Sequence, residues 1–170
     1  MNGLESLSDI LKKNPVILGV GNVLRRDDGF GSLLAQRLKK VMGQRVIDGG
    51  IAPENFLGHL VKQNSPSILI IDALDFGGIA GEFKIFYPQD LNTTNFFTTH
   101  NSTLSLLIKF LQQQSEADII ILAVQPKTIE FGEGLSKELS LSLEKIERFI
   151  VSSLKEGICQ NSNSKFQNPK

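Results

Sequence analysis

Short runs of aliphatic residues alternate along this chain with longer stretches in which apolar side chains recur every three or four positions. A strand covered on both faces reads as a continuous β-branched run, whereas a helix lying on a sheet reads as a stripe of period about 3.6. Residues 15–21, "PVILGVG", fit the first pattern. Residues 29–42, "GFGSLLAQRLKKVM", fit the second, with Phe30, Leu34, Leu38 and Val41 on one stripe. Its cations fall late in the segment, where the helix dipole favours them. The alternation continues with "QRVIDGG" as a second strand and "APENFLGHLVKQN" as a helix with Phe56, Leu57, Leu60 and Val61 inward. "SPSILIIDALD" is the most apolar strand, which places it near the sheet centre.

"GEFKIFYP" differs, because Phe83, Ile85 and Tyr87 alternate with Glu82, Lys84 and Phe86 between Gly81 and Pro88. That pattern suits an edge strand and is compatible with an antiparallel run. "HNSTLSLLIKFLQQQ" then puts Leu104, Leu107, Ile108 and Leu111 on one helical stripe, "ADIIILAVQP" is another buried strand, and "LSKELSLSLEKIERFIVSSL" is a long amphipathic helix. The predicted fold class is α/β, a three-layer sandwich. It has an open, mostly parallel twisted sheet of about five strands with helices on both faces. No internal repeat or shift in composition divides the core, so residues 1–155 are expected to form a single domain and the polar residues 156–170 a flexible tail.

At 170 residues the chain is long enough for one substantial core. Eighteen basic and eighteen acidic side chains cancel, which argues against nucleic acid and against a membrane-surface helix as partners. A protein or small-molecule partner is expected, with the chain itself a monomer. The single cysteine, Cys159, excludes an internal disulfide framework or a multi-cysteine metal site, and a reducing cytoplasm is the simplest location. The N-terminal "MNGLESLSDILKKNP" lacks the continuous apolar region of a secretory signal, and no stretch is apolar for long enough to insert in a bilayer.

Ligands of open α/β sheets sit at the carboxyl ends of the strands, and the residues falling there are acidic. Asn22, Asp27 and Asp28 follow the first strand, Asp48 ends the second, Asp72 and Asp75 end the third, His100 precedes a helix and Gln125 follows the last buried strand. Gly19 and Gly21 start a dinucleotide-type glycine turn, with Asp48 in the place of a ribose-binding acid. That Rossmann-type reading fails on Leu24, which replaces the third glycine, and on an aspartate pair that competes with a pyrophosphate for the helix N-terminus. One of the pair, with Asp27 favoured, is expected to act as an N-cap. A cation accounts for more of the acids, since carboxylates from two strand ends and an imidazole from a third segment suit zinc, nickel or another first-row metal. The zincin, nucleophile-elbow and Walker-type motifs are all missing.

Five segments in register, "GVGNVLRRDDGFG", "IDGGIAPEN", "IIDALDFGGIAGE", "TTHNSTLSLLI" and "AVQP", resemble the hydrogenase maturation endopeptidases over roughly residues 16 to 150. "IDGGIAPEN" and "TTHN" are most similar to the branch serving formate-hydrogenlyase-type hydrogenases. The resemblance implies a cut that removes a C-terminal extension from the nickel-loaded precursor of a nickel-iron hydrogenase large subunit. It implies a nickel site formed by Asp28, Asp72 and His100, the nickel being brought by the precursor, with Asp28 and Asp72 also catalytic and the peptidase of aspartic type. Where many members carry glutamate, this chain has Asp28. Asp48, Gly49 and Gly50 match a substrate-recognition loop. Gly19, Gly21, Asn22, Asp27 and Gly29 would shape the first turn, in which Arg25 and Arg26 have no assigned role. The competing reading is a nickel-dependent binding module or chaperone that holds the precursor without cutting it.

Overall fold

The computed structural model describes residues 3–90 and 101–163. Helix α1 (Gly3–Lys12) leads into strand β1 (Val16–Val20), a one-turn 3-10 helix (Arg26–Gly29) and α2 (Phe30–Met42). Strand β2 (Val46–Gly50), a 3-10 turn (Pro53–Phe56), the short α3 (Leu57–Lys62), β3 (Ser67–Ala73) and β4 (Phe83–Phe86) follow. The chain ends with α4 (Asn101–Gln114), β5 (Asp118–Val124) and α5 (Lys137–Asn163). The last helix thus runs beyond residue 155, to Asn163.

The sheet has the order β2-β1-β3-β5-β4, with β3 in the middle as its sequence predicted. Pairings among β2, β1, β3 and β5 are parallel, and β4 closes one edge antiparallel to β5, with Phe83 opposite Val124 and Phe86 opposite Ile121. Alternate strand residues feed two cores. Ile17, Leu69, Ile71, Ile120 and Leu122 pack under α1, α2 and α5, whereas Val16, Leu18, Ile68, Ile70 and Ile121 pack under α3 and α4. Covering both faces is what allows the strands to be apolar at every position.

Three details depart from the sequence pattern. The segment after β2 is a 3-10 turn followed by one short helix, and only Leu60 of its predicted inward residues is fully buried. Phe56, Leu57 and Val61 pack at the margin of the same core. The stripe of α2 continues from Leu38 to Met42, leaving Val41 exposed. In β4, Phe83 and Ile85 face one core and Phe86 the other, while Tyr87 is exposed.

Close contact between α2 and the sheet depends on Gly19 and Gly31. A methyl group on Gly19 would overlap the Gly31 carbonyl oxygen, and one on Gly31 would overlap the carbonyl oxygens of Val20 and Ile71. Gly19 therefore serves helix-to-strand approach, where the sequence suggested a tight turn. Gly19→Ala is expected to lower the unfolding free energy by about 1–3 kcal/mol, because helix and strand must separate to admit the methyl. Urea denaturation would measure the loss, and an unchanged midpoint would refute it.

Candidate active site

Strand order sets the location of the site. From β1 the chain moves to β2 on one side, then crosses back over β1 to β3, so connections leave the carboxyl ends of β1 and β3 in opposite directions. Such a reversal opens a crevice where ligands of doubly wound sheets bind. The crevice is lined by Gly21, Asn22 and Asp28 after β1, Gly50 at the end of β2 and Ile51 after it, Asp72 of β3, and Leu104 and Leu107 of α4.

Two of these lining groups are carboxyls taken almost fully out of solvent, Asp28 at 5% exposure and Asp72 at 4%. Asp28 arrives there through a compressed turn. Gly21 has φ +142, and a side chain on it would overlap the Asp28 carbonyl oxygen, so a glycine is required for the turn to fold against the strand end. The Asn22 N–H donates to Asp28 Oδ2 at 3.1 Å, and the Asn22 side-chain oxygen accepts the Leu24 N–H at 3.0 Å. Gly29 leads directly into α2. Asp72 enters from β3, with Oδ1 accepting its neighbour's Ala73 N–H at 2.8 Å.

The two carboxyls interact electrostatically. Burial first, and then the negative charge of Asp28, hold the Asp72 carboxyl well above its usual value of 3.8, against a smaller opposing effect of the Ala73 hydrogen bond. One proton on Asp72 is therefore favoured beside the Asp28 carboxylate. A cation reaching both would relieve the same repulsion. Among the described residues no set of three His, Cys, Asp or Glu groups converges. His100 lies outside the described residues; it directly precedes Asn101, the first residue of α4, the helix whose Leu104 and Leu107 line the crevice.

Asp27 does not cap its own helix. α2 starts without a side-chain cap, and the Asp27 carboxylate instead accepts three backbone N–H groups from the segment between β5 and α5. The donors are Lys127 at 2.9 Å, Thr128 at 3.1 Å and Ser136 at 2.6 Å. The backbone on both sides joins in: the Arg26 N–H donates to Gly132 O, and the Gly132 N–H to Leu24 O. Arg26, with φ 47, has its guanidinium beside Gly132, and Arg25 forms a bridge with the same glycine. The two arginines thus belong to a junction between loops.

Asp48 lies apart from the crevice lining. Its oxygens accept the Ser32 hydroxyl at 2.7 Å, the Gln36 amide at 2.7 Å and the Gly50 N–H at 3.1 Å. These bonds tie the end of β2 to α2 and occupy the carboxylate that a ribose would need. Gly49 fits closely against Leu18 and Pro53, and Gly50, with φ +52, reaches the crevice. Gln125 binds Asp75 and accepts the N–H groups of Phe76 and Gly78, so both polar residues fix the β3–β4 connection.

Known proteins share this sequence pattern and fold. The sequence model of the hydrogenase maturation protease family HycI matches residues 30–153. The hydrogenase 3 maturation protease of Escherichia coli K12 is 35% identical over 133 residues, covering 77% of this chain and 85% of its own. The crystal structure of the nickel-iron hydrogenase maturation protease HycI from Thermococcus kodakarensis KOD1 superposes with a TM-score of 0.78 at 30% identity, covering 88% of this chain and 99% of that one. The solution structure of the endopeptidase HycI from Escherichia coli gives 0.67 at 31% identity, covering 79% and 86%. With most of its length matched by the family model and by relatives above 30% identity, the chain belongs to the hydrogenase maturation protease family.

Proposed function

We propose that this protein is the endopeptidase that removes the C-terminal extension of a nickel-loaded large-subunit precursor of a nickel-iron hydrogenase, by aspartic-type hydrolysis at Asp28 and Asp72. The observation carrying this reading is the buried carboxyl pair at the β1–β3 reversal, in which burial and then the charge of Asp28 favour a proton on Asp72. A pair that shares one proton supplies both a base and an acid.

In the proposed step, Asp28 takes a proton from water as the water oxygen attacks the scissile carbonyl carbon. Asp72 gives its proton to the carbonyl oxygen. The carbon–nitrogen bond then breaks as the amine leaves with the proton gained by Asp28 and one hydroxyl of the intermediate returns a proton to Asp72, so that the new carboxyl end stays on the large subunit and the pair is restored. Precursor-borne nickel would be held at the pair of carboxyl groups, Asp28 and Asp72, with His100 as a third ligand, and would supply a positive charge there. This makes nickel a signal carried by the substrate, read before the cut. Gly50 and Ile51, at the crevice wall, would contact the segment to be cut.

The test is to incubate nickel-loaded and nickel-free precursor with the protein and weigh the large subunit by mass spectrometry. Loss of one C-terminal peptide from the loaded form alone is expected. An intact precursor held in a stable nickel-dependent complex would make the protein a binding module. The pH profile tests the acid role separately. Burial, the first cause of the raised Asp72 carboxyl, persists when nickel offsets the Asp28 charge, so cleavage in the preformed complex should be fastest while Asp72 keeps its proton. The rate should fall as pH rises through its elevated value, above the ordinary carboxylate range. A rate still climbing with pH above the ordinary carboxylate range would make Asp72 an ionised ligand.

A further inference from the structure

The crevice is narrow, and its rim carries apolar side chains that the fold does not use. Phe131 is 80% exposed, Ile51 72% and Leu24 48%. All three lie on loops at the carboxyl end of the parallel strands, after β5, β2 and β1 respectively. Scattered exposed apolar residues need no explanation, but three on loops at the one end of the sheet that carries the site do. Ile51 itself lines the crevice, and Leu24 is bonded through its N–H to the side chain of Asn22, which also lines it. Leu24 and Phe131 are brought together by the loop junction, where the Gly132 N–H donates to Leu24 O at 2.9 Å.

The loop bearing Phe131 is also firmly held. Asp27 binds it at Lys127 and Thr128 on one side and at Ser136 on the other, with Phe131 between these anchors. A buried carboxylate and three backbone N–H groups are thus committed to holding a segment whose central phenyl ring remains in water. The ring gains nothing from this in the free protein. It does gain as a contact for a partner, because a fixed apolar side chain loses little conformational entropy when it is covered.

We propose that Leu24, Phe131 and Ile51 form the docking surface for the precursor, receiving an apolar segment of it that adjoins the peptide bond to be cut. This rests on the peptidase reading. The continuity of the rim with the crevice selects this occupant, because Ile51 lines the crevice that holds Asp28 and Asp72, and Leu24, which is bonded to Phe131's neighbour Gly132, is bonded to Asn22 of the same lining. The carboxyls perform the reaction, and the rim contributes to affinity and to the choice of protein.

The experiment uses the full-length protein and nickel-loaded precursor in single-turnover reactions with enzyme in excess. Phe131→Ser and Leu24→Ser are expected to raise the half-saturating enzyme concentration by about tenfold each, while the rate at saturation stays within about twofold. Val41→Ser, an exposed apolar position at the far end of α2, serves as control and should change neither quantity. Half-saturation unchanged in both rim variants would overturn the proposal. So would a fall in the saturated rate alone, or loss of a self-associated form in sedimentation with precursor binding intact. If the unaltered protein binds precursor without cutting it, the peptidase reading fails, and the binding of the two variants still decides whether the rim is the docking surface.

Discussion

Asp72→Asn should leave the precursor uncut while making the protein more resistant to heat at neutral pH. Both effects have one origin. Burial and the Asp28 charge raise the Asp72 carboxyl, so the folded state holds a proton there that the unfolded chain releases at ordinary carboxylate pH. The sign is that of an acid raised on folding. Its contribution to stability is complete below the unfolded value and is lost as pH rises through the folded one, so at neutral pH the native state carries a penalty. Asparagine keeps an oxygen for the Ala73 N–H and places an uncharged amide where the acidic proton stood, which removes the penalty. It cannot give up a proton to a carbonyl oxygen, and loss of a positioned acid lowers rates by about 10²–10⁴-fold. Asp28→Asn should abolish cleavage to a similar degree, since no carboxylate then remains to take a proton from water. Melting curves from pH 4 to 8, with mass spectrometry of the precursor, test both. A melting temperature below that of the unaltered protein at pH 7 would contradict the assigned origin of the strain, and retained cleavage would remove Asp72 from the chemistry.

The largest expected loss of stability belongs to the neighbouring acid. Asp27→Ala leaves the Lys127, Thr128 and Ser136 N–H groups without their fully buried acceptor at a partly buried junction. Each unsatisfied buried donor costs about 1–3 kcal/mol. Partial access of water to the loosened loop limits the total to about 3–5 kcal/mol, a large share of the roughly 5–15 kcal/mol that holds a domain together. Asp27→Asn should fall between, because its amide nitrogen cannot accept a hydrogen bond and confronts at least one donor. Urea unfolding gives the free energies. Hydrogen exchange locates the effect, which should appear first at residues 127–136; a loss of less than about 1 kcal/mol for the alanine variant would show that the loop does not depend on this anchor.

The sheet could be read from the sequence because its strands are covered on both faces and so appear as uninterrupted aliphatic runs, as in residues 68–71. That acids gather at the carboxyl ends of the strands followed from the same reading, but the pairing of Asp28 with Asp72 came from the family resemblance, and the reversal of strand order that brings both to one crevice was not read. What escaped was set by partners remote in sequence. Asp27 has the local appearance of a cap, and its true acceptor role involves groups 100, 101 and 109 residues away. Asp48 has the position of a ribose-binding acid, yet Ser32 and Gln36 of the preceding helix occupy it. Helix α1 was hidden by Ser6, Ser8 and Asp9, weak helix formers; Leu7, Ile10 and Leu11 stabilise it by packing into the core it shares with α5. Leu104 and Leu107 were read only as core, because nothing local marks an apolar residue that also forms the wall of a crevice.

The position of β5 between β3 and β4 has a consequence for the chain as it leaves the ribosome. β1, β2 and β3 pair with one another, so that half of the sheet can assemble once Ala73 has emerged. β4 emerges soon after but has no neighbour until Asp118–Val124 has been made. At about 5–20 residues per second, the open edge of β3 waits about 3–10 seconds, and the apolar β4 segment about 2–8 seconds, for the strand that joins them. A nascent chain halted in that interval would present an unpaired row of backbone groups flanked by Ile68, Leu69, Ile70 and Ile71, the kind of edge on which other chains aggregate.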